Sequence, residues 1–258
     1  VQRANVRRCD LEVKELRRLG LSTSLLRGVK FNQVNLSGVA MAGFDLSGAS
    51  LQGANLENTK LQNANLQGVN LTKASGLLSS QPTRLAGADL SGANLAEVKL
   101  KEADLHQSKL LGAKLVRAEL EEANLQGVDL QGVDLLEARL PKANLNEALL
   151  QKADLQQADL RQATLKKANL QGANLQGADL QSAQLHNASL QDADLRAVCL
   201  KHATYNAQTR WPLGFAAELV RGINLALRVP GAAACGALDR DRDGRVAISE
   251  IIRARGNY

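Results

Sequence analysis

From Leu85 to Tyr205 a large apolar residue stands at every fifth position: Ala88-Asp89-Leu90, Ala93-Asn94-Leu95, Val98-Lys99-Leu100, Ala103-Asp104-Leu105, and onward to Ala193-Asp194-Leu195 and Ala203-Thr204-Tyr205. A period of five fits neither the 3.6 of a helix nor the 2 of a flat strand. Internal repetition at a fixed spacing outranks any local reading. The period is explained if the chain turns a corner after each five residues and four such sides close a coil of about twenty, so that each Leu stacks on the Leu one coil below. The residue two places before each Leu must also point inward, and only Ala, Val or Ser fits there. The remaining three positions, rich in Asp, Asn, Gln, Lys and Gly, face water. No repeat buries its Leu alone, so stability comes from neighbouring coils.

The repeated triplets resemble the pentapeptide-repeat family, whose pattern is A(D/N)LXX, over roughly 180 residues. The resemblance implies an all-β solenoid, a right-handed quadrilateral β-helix, here with short α-helical caps at its ends. Working outward, Phe31 to Leu71 holds nine repeats in one register, and the next clear centres are Leu85 and Leu90. The spacing breaks between Leu71 and Leu85, so Thr72 to Arg84 reads as an inserted loop, with turn chemistry at Ser79-Ser80-Gln81-Pro82-Thr83. Nine and 25 repeats at four per coil predict about 8.5 coils and a shaft of roughly 40 Å. The division expected is therefore a cap over residues 1–30, a β-helix over 31–205 with an insertion at 72–84, and a C-terminal part over 206–258.

In the first part, Cys9 to Gly20 reads as an amphipathic helix with Asp10 as N-cap and Gly20 as the stop. A degenerate first coil through Val6, Leu11, Leu16, Leu21 and Leu26 is the competing reading. The helix is preferred because the open apolar end of a solenoid needs a cap. After the shaft, Tyr205-Asn206-Ala207-Gln208-Thr209-Arg210-Trp211-Pro212-Leu213-Gly214-Phe215 resembles the YNxxTxFPxGF segment that closes many cyanobacterial and plastid members of the family, with Trp211 in place of Phe. Trp211 and Phe215 are expected to cover the last coil, and Ala216 to Arg228 to form a helix ended by Val229-Pro230-Gly231.

Asp239-Arg240-Asp241-Arg242-Asp243-Gly244-Arg245-Val246-Ala247-Ile248-Ser249-Glu250 resembles an EF-hand loop. Calcium takes six to eight oxygens, and the loop offers carboxylates from Asp239, Asp241 and Asp243, the Arg245 carbonyl, and both oxygens of Glu250, with Gly244 at the sharp turn. Ala247 leaves one ligand to water. Three interleaved arginines lower the local negative charge, and no second loop accompanies this one. Calcium (Ca2+) is thus the expected metal, held at the weak end of the EF-hand range; a metal-free turn is the alternative.

The formal net charge of +6 is unevenly spread. Residues 1–30 carry eight basic and three acidic groups, residues 206–258 eight and five, while residues 85–205 carry thirteen and sixteen. A mildly acidic shaft argues against a DNA-mimic inhibitor of an enzyme such as gyrase, the alternative function within the resembled family, because a mimic needs a strongly acidic face. Nucleic-acid binding through the basic ends lacks aromatic platforms. Only six aromatic residues occur, as a narrow Leu/Ala tube requires. His106, His186 and His202 all fall on outward positions and read as solvated, and no catalytic constellation emerges, so an enzyme is not expected. Cys9, Cys199 and Cys235 form no CxxC pair; unpaired thiols are the expectation, and a Cys199–Cys235 bridge requires the C-terminal segment to fold back over the last coil.

No apolar run reaches the length of a membrane span. The chain begins at Val1 with its one methionine at Met41, which reads as a processed or truncated product without its targeting peptide. The function expected is a non-enzymatic rigid scaffold for protein–protein contacts with a calcium loop. Its partner would be a protein, with a photosynthetic or other multisubunit membrane complex suggested by the resemblance, in the thylakoid lumen of a plastid or in a cyanobacterium.

Overall fold

A computed structural model describes residues 26–57, 59–75, 84–213 and 215. Within them every repeat makes a single parallel bridge to the repeat one coil away, and the partners are twenty residues apart through most of the chain, as in Asn124↔Asn144 and Asp134↔Asp154. Four repeats therefore close one coil, which is four-sided. The first face runs from Lys30 through Ser50, Asn70 and Asn94 to Asp194, and the second from Asn35 through Asn55 and Ser75 to Cys199. The third runs from Ala40 through Lys60 and Arg84 to Thr204, the fourth from Asp45 through Asn65 and Asp89 to Arg210. Among the described residues no face carries an extended strand: each contributes one bridged residue and then turns. Eight steps along the first face, at about 4.8 Å each, give a ladder of roughly 38 Å. The expected helical caps at the two ends lie outside the described residues.

The inside of the coil is apolar to the exclusion of almost everything else. Leu145, Leu150, Leu160 and Leu165 are at most 1% exposed, as are the small residues two places before them, Ala143, Ala148, Ala158 and Ala163. The large and small inward residues alternate along each side, so the two columns interlock and leave the tube filled. Phe31 and Met41 take the Leu position near the N-terminal end. Leu26 is already buried in the same core, and Lys30 already bridges to Ser50.

Corners are made by the two residues after each Leu. The Leu carbonyl accepts a hydrogen bond from the amide three residues on, as in Ala88 N to Leu85 O at 2.9 Å, closing a tight turn. The second corner residue sits in the left-handed region, with φ near 60° at Glu122, Lys142 and Gln162 and 66° at Gly127. Its amide donates to the coil above, as Glu122 N does to Pro141 O at 2.9 Å. That bond, repeated in each coil, holds side-chain-bearing residues in a conformation that costs them of order 1 kcal/mol each.

Two irregularities refine the expected layout. The bridge Lys60↔Arg84 spans 24 residues where 20 is the rule, so the insertion adds four residues between the second and third faces. Ala74 is buried, and Ser75 bridges both Asn55 and Lys99, so the repeat persists beyond Thr72 to Ser75 and resumes at Arg84; residues 76–83 lie outside the described residues. At the other end Ser189↔Arg210 spans 21. The shaft therefore runs past Tyr205: one extra residue is accommodated, Arg210 takes the bridge position, and Trp211 stands where a Leu would.

Candidate functional site

With the interior filled, the groups free to act are on the four faces and four corners. The outward bridge residue turns out to have structural work. In repeats with Asn or Asp at the bridge, the side-chain Oδ1 accepts the amide two residues on: Ser37 N to Asn35 at 3.1 Å, Leu136 N to Asp134 at 3.1 Å, Gln181 N to Asp179 at 2.9 Å. This is an Asx turn. It satisfies the first corner amide, which has no backbone acceptor in the ladder. Solubility alone is thus not why Asp and Asn recur.

The expected metal ligands Asp239, Asp241, Asp243, Arg245 and Glu250 lie outside the described residues. Among the described residues no three His, Cys, Asp or Glu side chains converge to hold a metal ion, and no helix is long and apolar enough to cross a membrane. The best-organised titratable pair is His106 with Asp104, Nδ1 to Oδ1 at 2.5 Å. Asp104 also accepts from Asn124 Nδ2 at 3.2 Å, starting a side-chain ladder up the third face through Asn144 Nδ2 to Asn124 Oδ1 at 3.1 Å and Thr164 Oγ1 to Asn144 Oδ1 at 3.2 Å. His106 stands one coil above Ala86 and one below Gln126, neither a nucleophile, so the pair orients an imidazole without a partner for acyl or phosphoryl transfer.

Charge is ordered along the corners. After the first face, Lys73–Glu97 at 3.5 Å and Arg117–Glu137 at 2.7 Å alternate in sign up the column. After the second, Lys142–Glu122 at 2.9 Å and Lys101–Glu121 at 3.8 Å pair one coil with the next. The fourth corner differs from both. Its left-handed position is Gly at 28, 48, 68, 92, 112, 132 and 172, with Lys at 152 and Asp at 192, and the residue before it is Ser, Gln or Leu from Ser47 to Gln191. A Cβ at Gly48, Gly68, Gly92, Gly112 or Gly132 would meet nothing within 4 Å. The glycines there are not demanded by neighbouring atoms in the rod, and from Ser47 to Gly132 the corner is an uncharged edge of low relief carrying the exposed Leu111.

On the second face Asp159 and Asp179 stack one coil apart. Burial pushes Asp159 up, but hydrogen bonds from the Arg161 guanidinium and amide, and its charge, bring it below the usual carboxylate value. Burial raises Asp179, reinforced by the Asp159 charge, and Arg161 at 3.9 Å does not offset it. One step above stands Cys199, which is disulfide-bonded, contrary to the unpaired thiols expected. At the C-terminal end the Tyr205 and Trp211 rings meet edge to face at 5.4 Å, and Trp211 stacks on Phe215 at 4.9 Å, all three packed against the core.

A family profile described as pentapeptide repeats matches residues 24–61, 41–75, 83–112, 99–135, 129–166 and 165–201, in eight copies. Among solved structures, HetL of the cyanobacterium Nostoc sp. strain PCC 7120, involved in heterocyst differentiation regulation, is 30% identical over 73% of this chain and 94% of its own, with a TM-score of 0.29. QnrB1, a plasmid-mediated fluoroquinolone resistance protein, is 17% identical over 72% and 88%, with a TM-score of 0.45. A pentapeptide-repeat protein of the Arabidopsis thaliana thylakoid lumen is 30% identical over 41% and 70%, with a TM-score of 0.23. No curated protein matches.

Proposed function

Because this chain belongs to the pentapeptide-repeat family, whose coils are right-handed and whose members are generally structural or interaction proteins, we propose that it is a non-enzymatic rod that holds a protein partner along its outer surface. The observation that carries the reading is the contrast between corners. Two corners bear ion-pair ladders, while the fourth, from Ser47 to Gly132, offers five stacked glycines and no charged side chain. Backbone can approach backbone closely only where side chains are missing, and desolvating such an edge costs little because no ion loses its water.

The loop Asp239–Glu250 is proposed to bind Ca2+ through Asp239, Asp241, Asp243, the Arg245 carbonyl and Glu250, and to order the C-terminal part rather than to act as a sensor. The spacing of those residues supports this. The closing segment Tyr205 to Phe215 supports a plastid or cyanobacterial setting, and a multisubunit photosynthetic membrane complex as the kind of partner.

Photo-crosslinking from position 111, beside the glycine corner, and from position 142, on a charged corner, tests the scaffold reading in cells of the source organism. One discrete adduct from position 111 and none from 142 is expected; no adduct from either position defeats it. Calorimetric calcium titration of the full chain and of Glu250→Gln tests the metal: heat is expected only from the former, with a rise in Tm on adding calcium. No heat from the parent chain removes calcium from the proposal.

A further inference from the structure

We infer that the first face receives a second copy of this chain, the two rods packing face to face and antiparallel about a two-fold axis that passes between Lys114 and Asp134. This names a partner for the rod surface beside the glycine corner, and so it rests on the scaffold reading above.

The charges of the face carry the inference. Lys114 and Asp134 are neighbouring rungs near the middle of the ladder. Among the described residues neither forms an ion pair, whereas Arg117–Glu137 and Lys142–Glu122 on the corners do. Lys114 is exposed, and Asp134 spends one oxygen on the Leu136 amide, leaving the other free. A two-fold axis perpendicular to the rod and midway between these rungs sets Lys114 of each copy opposite Asp134 of the other. The next rungs outward set Asn94 opposite Asp154, Asn70 opposite Asn174 and Ser50 opposite Asp194, so no like charges meet at any of the eight rungs.

Other arrangements are penalised. Parallel rods place Lys114 on Lys114, and Asp134, Asp154 and Asp194 each on its own counterpart. Sliding the antiparallel rod by one rung, either way, brings Lys114 onto Lys114 or Asp134 onto Asp134. Like charges held together in an interface cost several kcal/mol. The second face also alternates in sign, but the same operation about its centre brings Lys101 onto Arg161.

The flanks match in the same register. Val116 meets Leu136 of the other copy, and both are half-buried in the single rod, so their contact removes apolar surface from water. On the opposite flank Gly112 meets Gly132, and neither has a side chain to hold the faces apart. Eight rungs of three outward residues present about two dozen residues, the number a stable interface uses on each side. The rods are rigid before they meet, so little ordering opposes the contact. Because its central pairs are ionic and lie at a water-rimmed surface, the dimer should weaken as salt rises.

Sedimentation equilibrium of the full chain tests this. The parent is expected to dimerise at about 100 µM or below, and less tightly in high salt. Lys114→Asp and Asp134→Lys each put two like-charge contacts in the dimer and should each weaken it about a hundredfold. An equimolar mixture of the two variants restores both opposite pairs and should dimerise, as should the double variant that carries both changes. Recovery in the mixture cannot come from refolding, since each chain keeps its own substitution. A monomeric parent, single variants that dimerise as tightly as the parent, or a mixture that stays monomeric overturns the pairing. A monomeric parent leaves the scaffold reading to the crosslinking from position 111, which fails separately if no adduct forms in cells.

Discussion

At the scale of single residues, the outward Asn and Asp of the bridge positions are engaged with their own backbone. Asn and Asp at the bridge position take the first corner amide, and Thr59 and Thr209, which occupy inward positions, donate to Leu36 O at 3.0 Å and Leu185 O at 2.8 Å. Ser108 sits in the same kind of inward position, 4% exposed, and its Oγ has no partner. Ser108→Ala is therefore expected to raise stability by about 1 kcal/mol in urea unfolding, since an unmade buried bond is removed along with its hydroxyl. Two aspartates give opposite pH signatures. Asp179 has a raised pKa, so its protonated form is the one the fold favours: that contribution is full below the ordinary Asp value and is lost as pH rises through the folded one. Asp179→Asn, which keeps an acceptor for the Gln181 amide, should melt higher than the parent at pH 7, the difference closing in acid below about pH 4. Asp194 is held low by the Arg196 side chain, with contributions from its amide and charge outweighing burial. Its contribution is present above the ordinary Asp value and lost as pH falls through the folded one, so Asp194→Asn should melt lower at pH 7 and converge with the parent in acid.

At the scale of the repeat, the coil is decided by two inward columns of different size. Leu145→Ala should cost about 2–5 kcal/mol, because the stacked leucines above and below cannot close the cavity. The converse change at the neighbouring small position, Ala148→Leu, should be at least as damaging, since the site has no space and the backbone must part. Chemical denaturation of the pair tests this: if Ala148→Leu is tolerated, the narrow tube is not the reason that Ala recurs. The glycine corner follows a different rule. Its glycines relieve left-handed strain that Glu, Lys and Gln endure elsewhere, so Gly112→Ala is expected to lower stability by only about 1 kcal/mol.

At the scale of the whole molecule, each coil touches only its neighbours, so stability accumulates along the rod and its shape is fixed by repetition. Charge is balanced within the rod by pairs such as Lys167–Glu147 at 3.0 Å and Arg161–Asp159 at 2.6 Å, leaving no face with the unbroken acidity that would stand in for phosphates. Such surface pairs add little stability each. They do set the field around the rod. A gyrase supercoiling assay with the full chain is accordingly expected to show no inhibition; inhibition would reverse the order of the two functional readings.

The five-residue period by itself determined the solenoid, the inward Leu and Ala columns and the break after Leu71, because each follows from equivalence under translation and from the size of side chain that a narrow tube admits; the four sides of the coil came from the family resemblance. The resemblance of Tyr205 to Phe215 to the family's closing segment marked Trp211 and Phe215 as belonging at the end. Only the tertiary structure decided what each outward residue does. Asp134 and Asp179 have the same place in the repeat and the same Asx bond, yet of the two only Asp179 is buried, between Asp159 and Cys199 on its face and beside Arg161. That the glycines at 48, 68, 92, 112 and 132 form one edge depends on the jump to a 24-residue spacing at Lys60↔Arg84, which keeps the later repeats aligned with the earlier ones. A repeat fixes what is equivalent within one coil; which residues meet across coils is set by registry, and registry exists only once the chain has folded.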